Sequence, residues 1–343
     1  MADGEPKPST PVLVTPGEPA GIGAEITLKA FAAALKDNTP SFCVMEDPAR
    51  LGNVASALGL AVKIAAIDTP EAAAELPADT LPVLPVAWAA DIRAGVPDKD
   101  NAPIVINAIR TAAQLAQDGR VSAITTNPIH KAVLIEAGFS HPGHTEFLGS
   151  LAPEQDGAPT MMLACDDLRV VPVTVHIPLR DAPAALKTTD IIAKGRLLAA
   201  TLRDHFGIVN PRIAVCGLNP HAGENGQFGD EDERIIAPAV TAMQNDNITA
   251  FGPLSADTLF HAEARKTYDA VMGMYHDQVL IPIKTLDFDG GVNVTLGLDF
   301  IRTSPDHGTA LDIAGNGTAR HASLAAAIRM AANMAMSGAP SGE

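Results

Sequence analysis

The chain has 343 residues, of which 47% are hydrophobic and 19% charged, and its formal net charge is −16 at pH 7. This length allows two domains of ordinary size with a substantial buried core. The charge argues against nucleic acid and anionic membranes as partners, because either needs a basic face that neutralises phosphates. We therefore expect a small-molecule partner.

The start of the chain and its cysteines bear on the compartment. The first ten residues, MADGEPKPST, are polar and precede only a short apolar run, which predicts neither a signal peptide nor a membrane span. Cys43, Cys165 and Cys216 share no short ligand spacing, which is typical of buried thiols in a reducing compartment. We expect a cytoplasmic enzyme.

Strand-like apolar runs alternate with helical patterns along most of the chain, which predicts βαβ units and a mainly parallel sheet. A first strand is expected at 11–14, and the glycine-rich stretch TPGEPAGIGAEI after it should turn into a helix that carries Ile26, Leu28 and Leu35. A helix is then predicted over 103–117, followed by the strand VSAITT, which ends in TNPIHK.

The second half continues the alternation. We expect a helix in TTDIIAKGRLLAATLRDHFG, a strand in RIAVCGLN, a helix in DEDERIIAPAVTAM that Pro238 should kink, a strand in YDAVMGMYH and a last helix over 319–336. Pro/Gly-rich stretches at 136–145 and around 300–308 predict crossings between two lobes. The first α/β lobe then comprises 1–135 plus 300–343, and the second comprises 136–299.

Three histidines each stand where a predicted strand runs out: His176 in VVPVTVHIP, His221 in AVCGLNPHAGENG and His276 in AVMGMYHDQ. Open α/β sheets gather their chemistry at the carboxyl ends of strands, and neutral imidazole is the commonest metal ligand. We favour one divalent metal site over unrelated core or surface histidines. Histidine ligation favours zinc, with Mg, Co, Mn or Ni as alternatives.

GHTEFL places His144 at a loop-to-helix junction together with Thr145 and Glu146. For Thr145, capping of the helix and contact with a ligand are equally good interpretations. His144 is the stronger functional candidate.

A second polar group is spread across IPIKTLDFDGGVNVTLGLDFIRTSPDHG and consists of Lys284, Asn293 and Arg302. A lysine, an amide and an arginine that converge would hold a phosphate or a carboxylate. Taken singly, each is more often a solvated surface residue, so the hypothesis depends on their convergence.

Two glycine-rich segments are candidates for ligand contact. Gly17 to Gly23 lacks the ending of a P-loop and does not match G-x-G-x-x-G, and tight backbone packing explains its glycines equally well. The segment SPDHGTALDIAGNGTA offers His307, Asp312 and Asn316 as partners for an adenosine, and an ordinary turn network is the alternative.

Eight segments, taken in this order, closely resemble the 4-hydroxythreonine-4-phosphate dehydrogenase family of vitamin B6 biosynthesis, over roughly residues 11 to 320: GEPAGIGAEI, NPIHKAVL, PGHTEFL, HIPLRD, NPHAGENGQFGDED, GPLSADTLF, YHDQVLIPIKTLDFDGGVNVTLGL and FIRTSPDHGTALDIAGNGTA. AGIGAEI and DHGTALDIAGNG are also similar to loops of isopropylmalate and isocitrate dehydrogenases. The resemblance implies two α/β/α lobes and a homodimer with active sites between subunits.

The resemblance also implies roles for individual residues. His176, His221 and His276 fall on the metal ligands of the family, with the third ligand supplied by the partner subunit. NAD or NADP would be bound by the loop at 304–316, chiefly through His307, Asp312 and Asn316.

For the substrate, the resemblance implies that His144 and Thr145 contact the amino-acid end and the hydroxyl side. Lys284, Asn293 and Arg302 would contact the anionic groups. Asp257 in SADTLF and Asp277 in HDQ match acids near the metal. We expect Lys284, Asp257 or Asp277 to act as the catalytic base, with His144 as a further alternative.

The implied reaction is oxidation of 4-phosphohydroxy-L-threonine by NAD(P) to the 3-oxo acid, which decarboxylates to 3-amino-2-oxopropyl phosphate in pyridoxal phosphate biosynthesis. The alternative within the family is a paralogue that oxidises a four-carbon sugar-acid phosphate or a cyclic dihydrodiol carboxylate.

Three other classes remain open at this point. A metal-dependent hydrolase or lyase could use the same histidines but would bind no nicotinamide. A transferase such as a phosphate acetyltransferase would need no metal. A sensor of phosphorylated acids would bind its ligand without turnover.

Overall fold

A computed structural model describes residues 10–37, 40–141, 143–152 and 158–338 of the chain. The chain divides into two compact units. The first unit is Met1–Glu154 with Leu298–Ala335, and the second unit is Gln155–Gly297 with Met336–Glu343. No helix in the described ranges is both long and apolar enough to cross a membrane. The cytoplasmic location expected from the sequence stays a prediction.

The strands of the described residues are β1 (Val12–Thr15), β2 (Phe42–Glu46), β3 (Lys63–Ala66), β4 (Thr80–Pro85), β5 (Ala123–Thr126), β6 (Thr160–Cys165), β7 (Leu168–Pro172), β8 (Arg212–Cys216), β9 (Thr249–Leu254), β10 (Ala270–Gly273), β11 (Val292–Leu296) and β12 (Arg302–Pro305).

The helices are α1 (Gly23–Asp37), α2 (Pro48–Ala57), α3 (Ala102–Gln117), α4 (Lys131–Glu136), α5 (His144–Leu151), α6 (Ala182–Ala185), α7 (Thr188–Phe206), α8 (Ala237–Asn245), α9 (Ala262–Arg265), α10 (His276–Leu286) and α11 (Ala322–Ser337). Short 3₁₀ turns occur at Pro70–Glu75, Lys99–Asn101, Leu179–Asp181, Pro220–Gly223 and Ala256–Thr258.

The first unit is built on a parallel sheet with the strand order β3-β4-β2-β1-β5-β12. Helix α3 shows how the sequence builds its core. Buried Val105, Ala108, Ile109 and Ala112 recur at helical spacing, and this stripe packs against β1 and β5. Pro103 lies in the first turn, where a missing N–H costs no helical hydrogen bond.

The second unit has a mixed sheet with the order β11-β6-β7-β10-β8-β9. Strands β7, β10, β8 and β9 are parallel, and β6 runs antiparallel between β7 and β11. The carboxyl ends of β7, β10 and β8 therefore lie side by side at one edge of this sheet. Their order in space differs from their order in the chain.

The predicted fold class, α/β with two lobes, is confirmed. The helix expected in DEDERIIAPAVTAM differs in detail from the prediction. The chain forms a π-helical turn at Asp232–Ile236 that runs directly into α8 at Ala237, so that Pro238 lies inside a continuous helical segment. The π turn departs from α-helical hydrogen bonding just before the proline, and prolines and π turns are both places where helices bend.

Candidate active site

The three strand-end histidines follow three neighbouring parallel strands of the second unit. His176 comes after β7, His276 after β10 and His221 after β8, and β10 lies between the other two. The structure therefore has the three histidines at carboxyl strand ends, as expected from the sequence. In open sheets of this kind such ends carry the ligand-binding and catalytic groups.

His176 and His276 approach each other. Their ring centroids are 5.9 Å apart, and both line a pocket of about 290 Å³ together with Thr174, Tyr275 and Asp277. His276 Nδ1 lies 2.6 Å from a carboxylate oxygen of Asp277. A histidine that ligates a metal usually gives its other ring N–H to a carboxylate in this way, which leaves Nε2 as the donor atom for the metal. The pair fits a divalent-metal site.

His221 lies in a turn of left-handed backbone. Its φ is 56°, and Ala222, Glu224 and Asn225 have φ values of 52°, 41° and 54°. A residue other than glycine in the left-handed conformation has a steric cost of about 1–2 kcal/mol, so contacts with the surrounding residues must hold the turn in place. The ring of His221 lies 6.0 Å from that of Phe228, centroid to centroid.

Asp232 supplies part of that support. It is buried, and its carboxylate accepts hydrogen bonds from the backbone N–H of Leu218 at 2.8 Å and of Asn219 at 3.2 Å. The Asn219 amide donates to the same carboxylate at 3.0 Å. These contacts fix the segment that leads from β8 to His221.

Within the ranges that the structure describes, no group of three His, Cys, Asp or Glu side chains is arranged to hold a metal ion. The structure brings His176 and His276 together as two candidate donors. The complete set of His176, His221 and His276, with one ligand from the partner subunit, stays a prediction.

The candidate bases lie at three places in the second unit. Asp277 contacts His276, as described. Asp257 is exposed on the turn after β9, where it accepts a hydrogen bond from the Ser255 hydroxyl. The ammonium group of Lys284, in the last turn of α10, lies 5.8 Å from the centroid of the Phe288 ring.

Asn293 lies on β11 and pairs with Leu163 on β6. Its side-chain Oδ1 is buried and has no hydrogen-bond partner among the described residues. A buried acceptor without a donor costs about 1–3 kcal/mol, which a ligand donor would remove.

Arg302 and His144 come together in the first unit. Arg302 is only 4% exposed, and its guanidinium donates to the Thr126 hydroxyl from Nε at 3.2 Å and from Nη2 at 2.7 Å. Nη2 also lies 3.4 Å from His144 Nδ1. Burial lowers the pKa of Arg302 to about 10, so the group stays cationic at neutral pH.

His144 is kept neutral. Burial, followed by the charge of Arg302, lowers the pKa of His144 well below its ordinary value. Its Nε2 is buried without a hydrogen-bond partner among the described residues. A buried cation beside a neutral imidazole with a spare ring nitrogen suits an anionic ligand that also carries hydroxyl or amino groups.

Helix α5 begins at His144 and has Gly143 as its N-cap. Thr145 therefore lies inside the first turn, and the capping interpretation of Thr145 is wrong.

Thr126 is a hydrogen-bond partner of Arg302 that the sequence analysis did not identify. The polar strand end in TNPIHK was the available signal, because a threonine there points its hydroxyl at whatever lies beyond the sheet.

A cavity of about 740 Å³ lies in the first unit. It is bordered by the glycine-rich loop and α1, by α2, by the segment at 88–94 and by Gly315–Gly317. Asn316, one of the predicted cofactor contacts, lines it. Asp312 is exposed, and His307 Nδ1 lies 3.1 Å from the Gly308 carbonyl oxygen. Cavities of 300–1,000 Å³ are typical of small-molecule and cofactor sites.

Trp88, the one tryptophan of the chain, lines the same cavity and is held by a buried carboxylate. Its indole N–H donates to Glu46 at 2.6 Å, and Arg50 donates to the other Glu46 oxygen at 2.6 Å. Burial raises the pKa of Glu46, and the Arg50 charge opposes this shift. The sequence analysis did not find this group, because Trp88 and Glu46 are far apart in the chain.

The glycine-rich loop packs closely against neighbouring backbone. A Cβ on Gly17, whose φ is +69°, would lie 2.5 Å from the Pro128 carbonyl oxygen, and one on Gly21 would lie 2.9 Å from that of Thr309. Tight packing thus accounts for these two glycines. Gly21 in addition lines the cavity.

The chain has two α/β units, polar side chains at carboxyl strand ends and a large cavity in the first unit. These features are typical of α/β enzymes that bind small molecules or cofactors. Comparison with known proteins identifies the family within this class. The family model described as pyridoxal phosphate biosynthetic protein PdxA matches residues 38–331. The chain therefore belongs to the PdxA family, as the resemblance in the sequence predicted.

Individual relatives agree with this assignment. A protein of Bradyrhizobium diazoefficiens named 4-hydroxythreonine-4-phosphate dehydrogenase is 50% identical over 95% of this chain and 97% of its own length. The crystal structure of 4-hydroxythreonine-4-phosphate dehydrogenase from Klebsiella pneumoniae is 40% identical, with a TM-score of 0.86 over 95% of this chain and 100% of that one.

A more distant structure is a terephthalate 1,2-cis-dihydrodiol dehydrogenase from Burkholderia xenovorans LB400. It is 25% identical, with a TM-score of 0.64 over 95% of this chain and 98% of that one.

Proposed function

We propose that the chain is a dehydrogenase that uses NAD or NADP and a divalent metal to oxidise 4-phosphohydroxy-L-threonine. The product, a 3-oxo acid, then loses CO₂ to give 3-amino-2-oxopropyl phosphate for pyridoxal phosphate biosynthesis. The relatives at about 50% identity, which carry the name of this activity over nearly the whole chain, support the substrate. The observation that carries the chemistry is the placement of His176, His276 and His221 after three neighbouring parallel strands.

The chain's own residues would hold the substrate by its charges. Arg302, buried and fixed by Thr126, supports binding of an anionic group, and neutral His144 beside it would accept or donate a hydrogen bond. Thr145, Lys284 and Asn293 are the further contacts that we propose. Because the protein as a whole is acidic, a phosphorylated substrate needs such a local positive group.

The three histidines would hold the metal, which would supply Lewis-acid chemistry by lowering the pKa of the substrate hydroxyl and polarising the new carbonyl. Zinc suits an imidazole donor set best, and Mg, Co, Mn or Ni are alternatives. Asp277 would orient His276 through the 2.6 Å contact. That contact engages Asp277, so we favour Lys284 or Asp257 as the base that accepts the hydroxyl proton.

The cofactor would lie in the cavity of the first unit, with Asn316 in its lining and His307 and Asp312 in the same loop. The size of the cavity and the presence of one predicted contact in its wall support this position.

We further propose a homodimer with shared active sites. Several large apolar side chains close to the candidate metal residues in the chain are exposed in the second unit: Ile177, Leu179, Ile281, Leu286 and Phe288. Exposed apolar groups of this size are typical of protein interfaces.

One assay tests the class and the substrate together. Purified protein is incubated with Zn²⁺, NAD⁺ or NADP⁺ and 4-phosphohydroxy-L-threonine, and absorbance at the wavelength of the reduced cofactor is followed. Erythronate and threonate phosphates and a cyclic dihydrodiol carboxylate are run in parallel. Reduction with the phosphorylated hydroxythreonine alone supports the proposal, and reduction with none of the four substrates contradicts it.

The likeness to the dihydrodiol dehydrogenase favours one second candidate, oxidation of a cyclic dihydrodiol carboxylate. A buried arginine would bind a carboxylate as well as a phosphate. Turnover of the dihydrodiol without turnover of the phosphorylated hydroxythreonine would establish this alternative.

A further inference from the structure

A single chain of hydrogen bonds links the three segments that carry the strand-end histidines. Gln278, in the first turns of α10, is at its centre. Its Oε1 accepts from the backbone N–H of Met274 at 2.6 Å, and its Nε2 donates to the carbonyl oxygen of Gly217 at 2.7 Å. Met274 precedes His276, and Gly217 begins the segment that leads to His221.

The third segment joins at the same residue, Met274, through its carbonyl group. The Met274 carbonyl oxygen accepts from the Thr174 hydroxyl at 2.8 Å and from the Thr174 N–H at 3.2 Å, and Thr174 precedes His176. Thr174, Met274, Gln278 and Gly217 thus connect the ends of β7, β10 and β8 in the order in which those strands lie in the sheet.

Regular pairing does not extend as far as the histidines. The strand pairs end at Gly273 with Pro172, and at Met272 with Val215. Between β7 and β10 two backbone hydrogen bonds continue beyond these pairs, from the Val173 N–H to the Gly273 carbonyl oxygen at 2.7 Å and from the Thr174 N–H to Met274. Between the segments that follow β10 and β8, the Gln278 side chain supplies both a donor and an acceptor. Loops without such contacts would move independently.

We propose that Gln278 is a positioning residue for the metal ligands. It holds the segments bearing His276 and His221 in place, and Thr174 holds the segment bearing His176, so that each subunit presents its ligands to the two shared sites in fixed positions. This inference rests on the proposed function, since it needs these histidines to be ligands. Donor atoms must be held within a few tenths of an ångström for tight metal binding, and loss of a partner that orients them typically weakens affinity 10- to 100-fold.

The experiment measures binding of Co²⁺ alone to the purified full chain after removal of bound metal, by the visible absorption of the complex. In Gln278→Met, which keeps the length of the side chain and removes both hydrogen bonds, we expect Kd for Co²⁺ to rise about 10- to 100-fold with a changed absorption spectrum. Gln244→Met is the matched control. Gln244, on α8 of the same unit, also donates a side-chain hydrogen bond to a backbone carbonyl, that of Ala250 at 2.8 Å.

Both glutamine variants should lose thermal stability in the metal-free form, Gln278→Met more because it removes two hydrogen bonds rather than one, and only Gln278→Met should lose Co²⁺ affinity. A folded Gln278→Met that binds Co²⁺ with the wild-type Kd and spectrum overturns the inference. If Gln278→Met does not fold, Thr174→Val replaces it. This variant removes one of the two bonds to the Met274 carbonyl, and we expect Kd to rise about threefold. An unchanged Kd there overturns the inference as well.

Failure of the proposed function gives a different result. His276→Ala must abolish tight Co²⁺ binding if the histidines are ligands. Should His276→Ala bind Co²⁺ as the wild type does, the metal lies elsewhere and the proposed function fails irrespective of Gln278.

Discussion

Replacement of Arg302 by alanine tests the anion site most directly. The side chain is 4% exposed, and in the wild type its charge is oriented by the Thr126 hydroxyl. A hydrogen bond to a charged group is worth about 1.5–3 kcal/mol, and 1.4 kcal/mol is a factor of ten. In Arg302→Ala we therefore expect KM for the phosphorylated substrate to rise about 10- to 150-fold.

The assay is steady-state cofactor reduction over a range of substrate concentrations, together with a thermal melt that shows folding. Arg120→Ala is the control, because Arg120 belongs to the same unit but forms an exposed ion pair with Glu71. Exposed ion pairs contribute little free energy, so the KM of the Arg120→Ala variant should stay within about twofold of the wild-type value. A folded Arg302→Ala with an unchanged KM would remove Arg302 from the anion site and refute the reasoning.

Three further outcomes are expected. Burial lowers the pKa of His144, so protonation of this side chain destabilises the folded state relative to the unfolded state. The free energy of unfolding therefore keeps its full value above about pH 6.5, the ordinary pKa of histidine, and decreases as pH falls towards the folded pKa. The melting temperature of His144→Gln should then fall less steeply than that of the wild type below pH 6.5, and parallel curves would contradict the shift. NADH bound in the cavity should quench the emission of Trp88, because this side chain lines the cavity, and unchanged emission on addition of NADH would argue against this position of the cofactor. Treatment with a chelator should abolish NAD⁺ reduction in the wild type, with recovery on addition of Zn²⁺ or Co²⁺, and full activity without metal would refute the metal-dependent mechanism.

The sequence predicts the individual strands better than it predicts which strands lie next to each other in the sheet. Apolar runs ending at His176, His221 and His276 identify β7, β8 and β10, since period and length are local properties. Their order in the sheet is not local, because β10 enters between β7 and β8 through crossover connections. The approach of His176 to His276 therefore needed the structure.

The same holds for the partners of the site residues. Arg302 could be chosen from its residue type, but Thr126, which orients it, lies 176 positions away in the chain. Trp88 and Glu46 are separated by 42 positions. Hydrogen bonds between such distant residues depend on strand order and helix packing, which no short motif encodes.

The left-handed turn at His221 limits how the protein can be made more heat-resistant. Glycine in place of Ala222, whose φ is 52°, relieves about 1–2 kcal/mol of steric cost and would score well in a screen for melting temperature. Glycine would also widen the range of conformations open to the adjoining imidazole. Thermostabilisation is therefore better directed at exposed loops remote from β8, because at this turn a gain in stability would come with a less fixed position of His221, which we propose as a metal ligand.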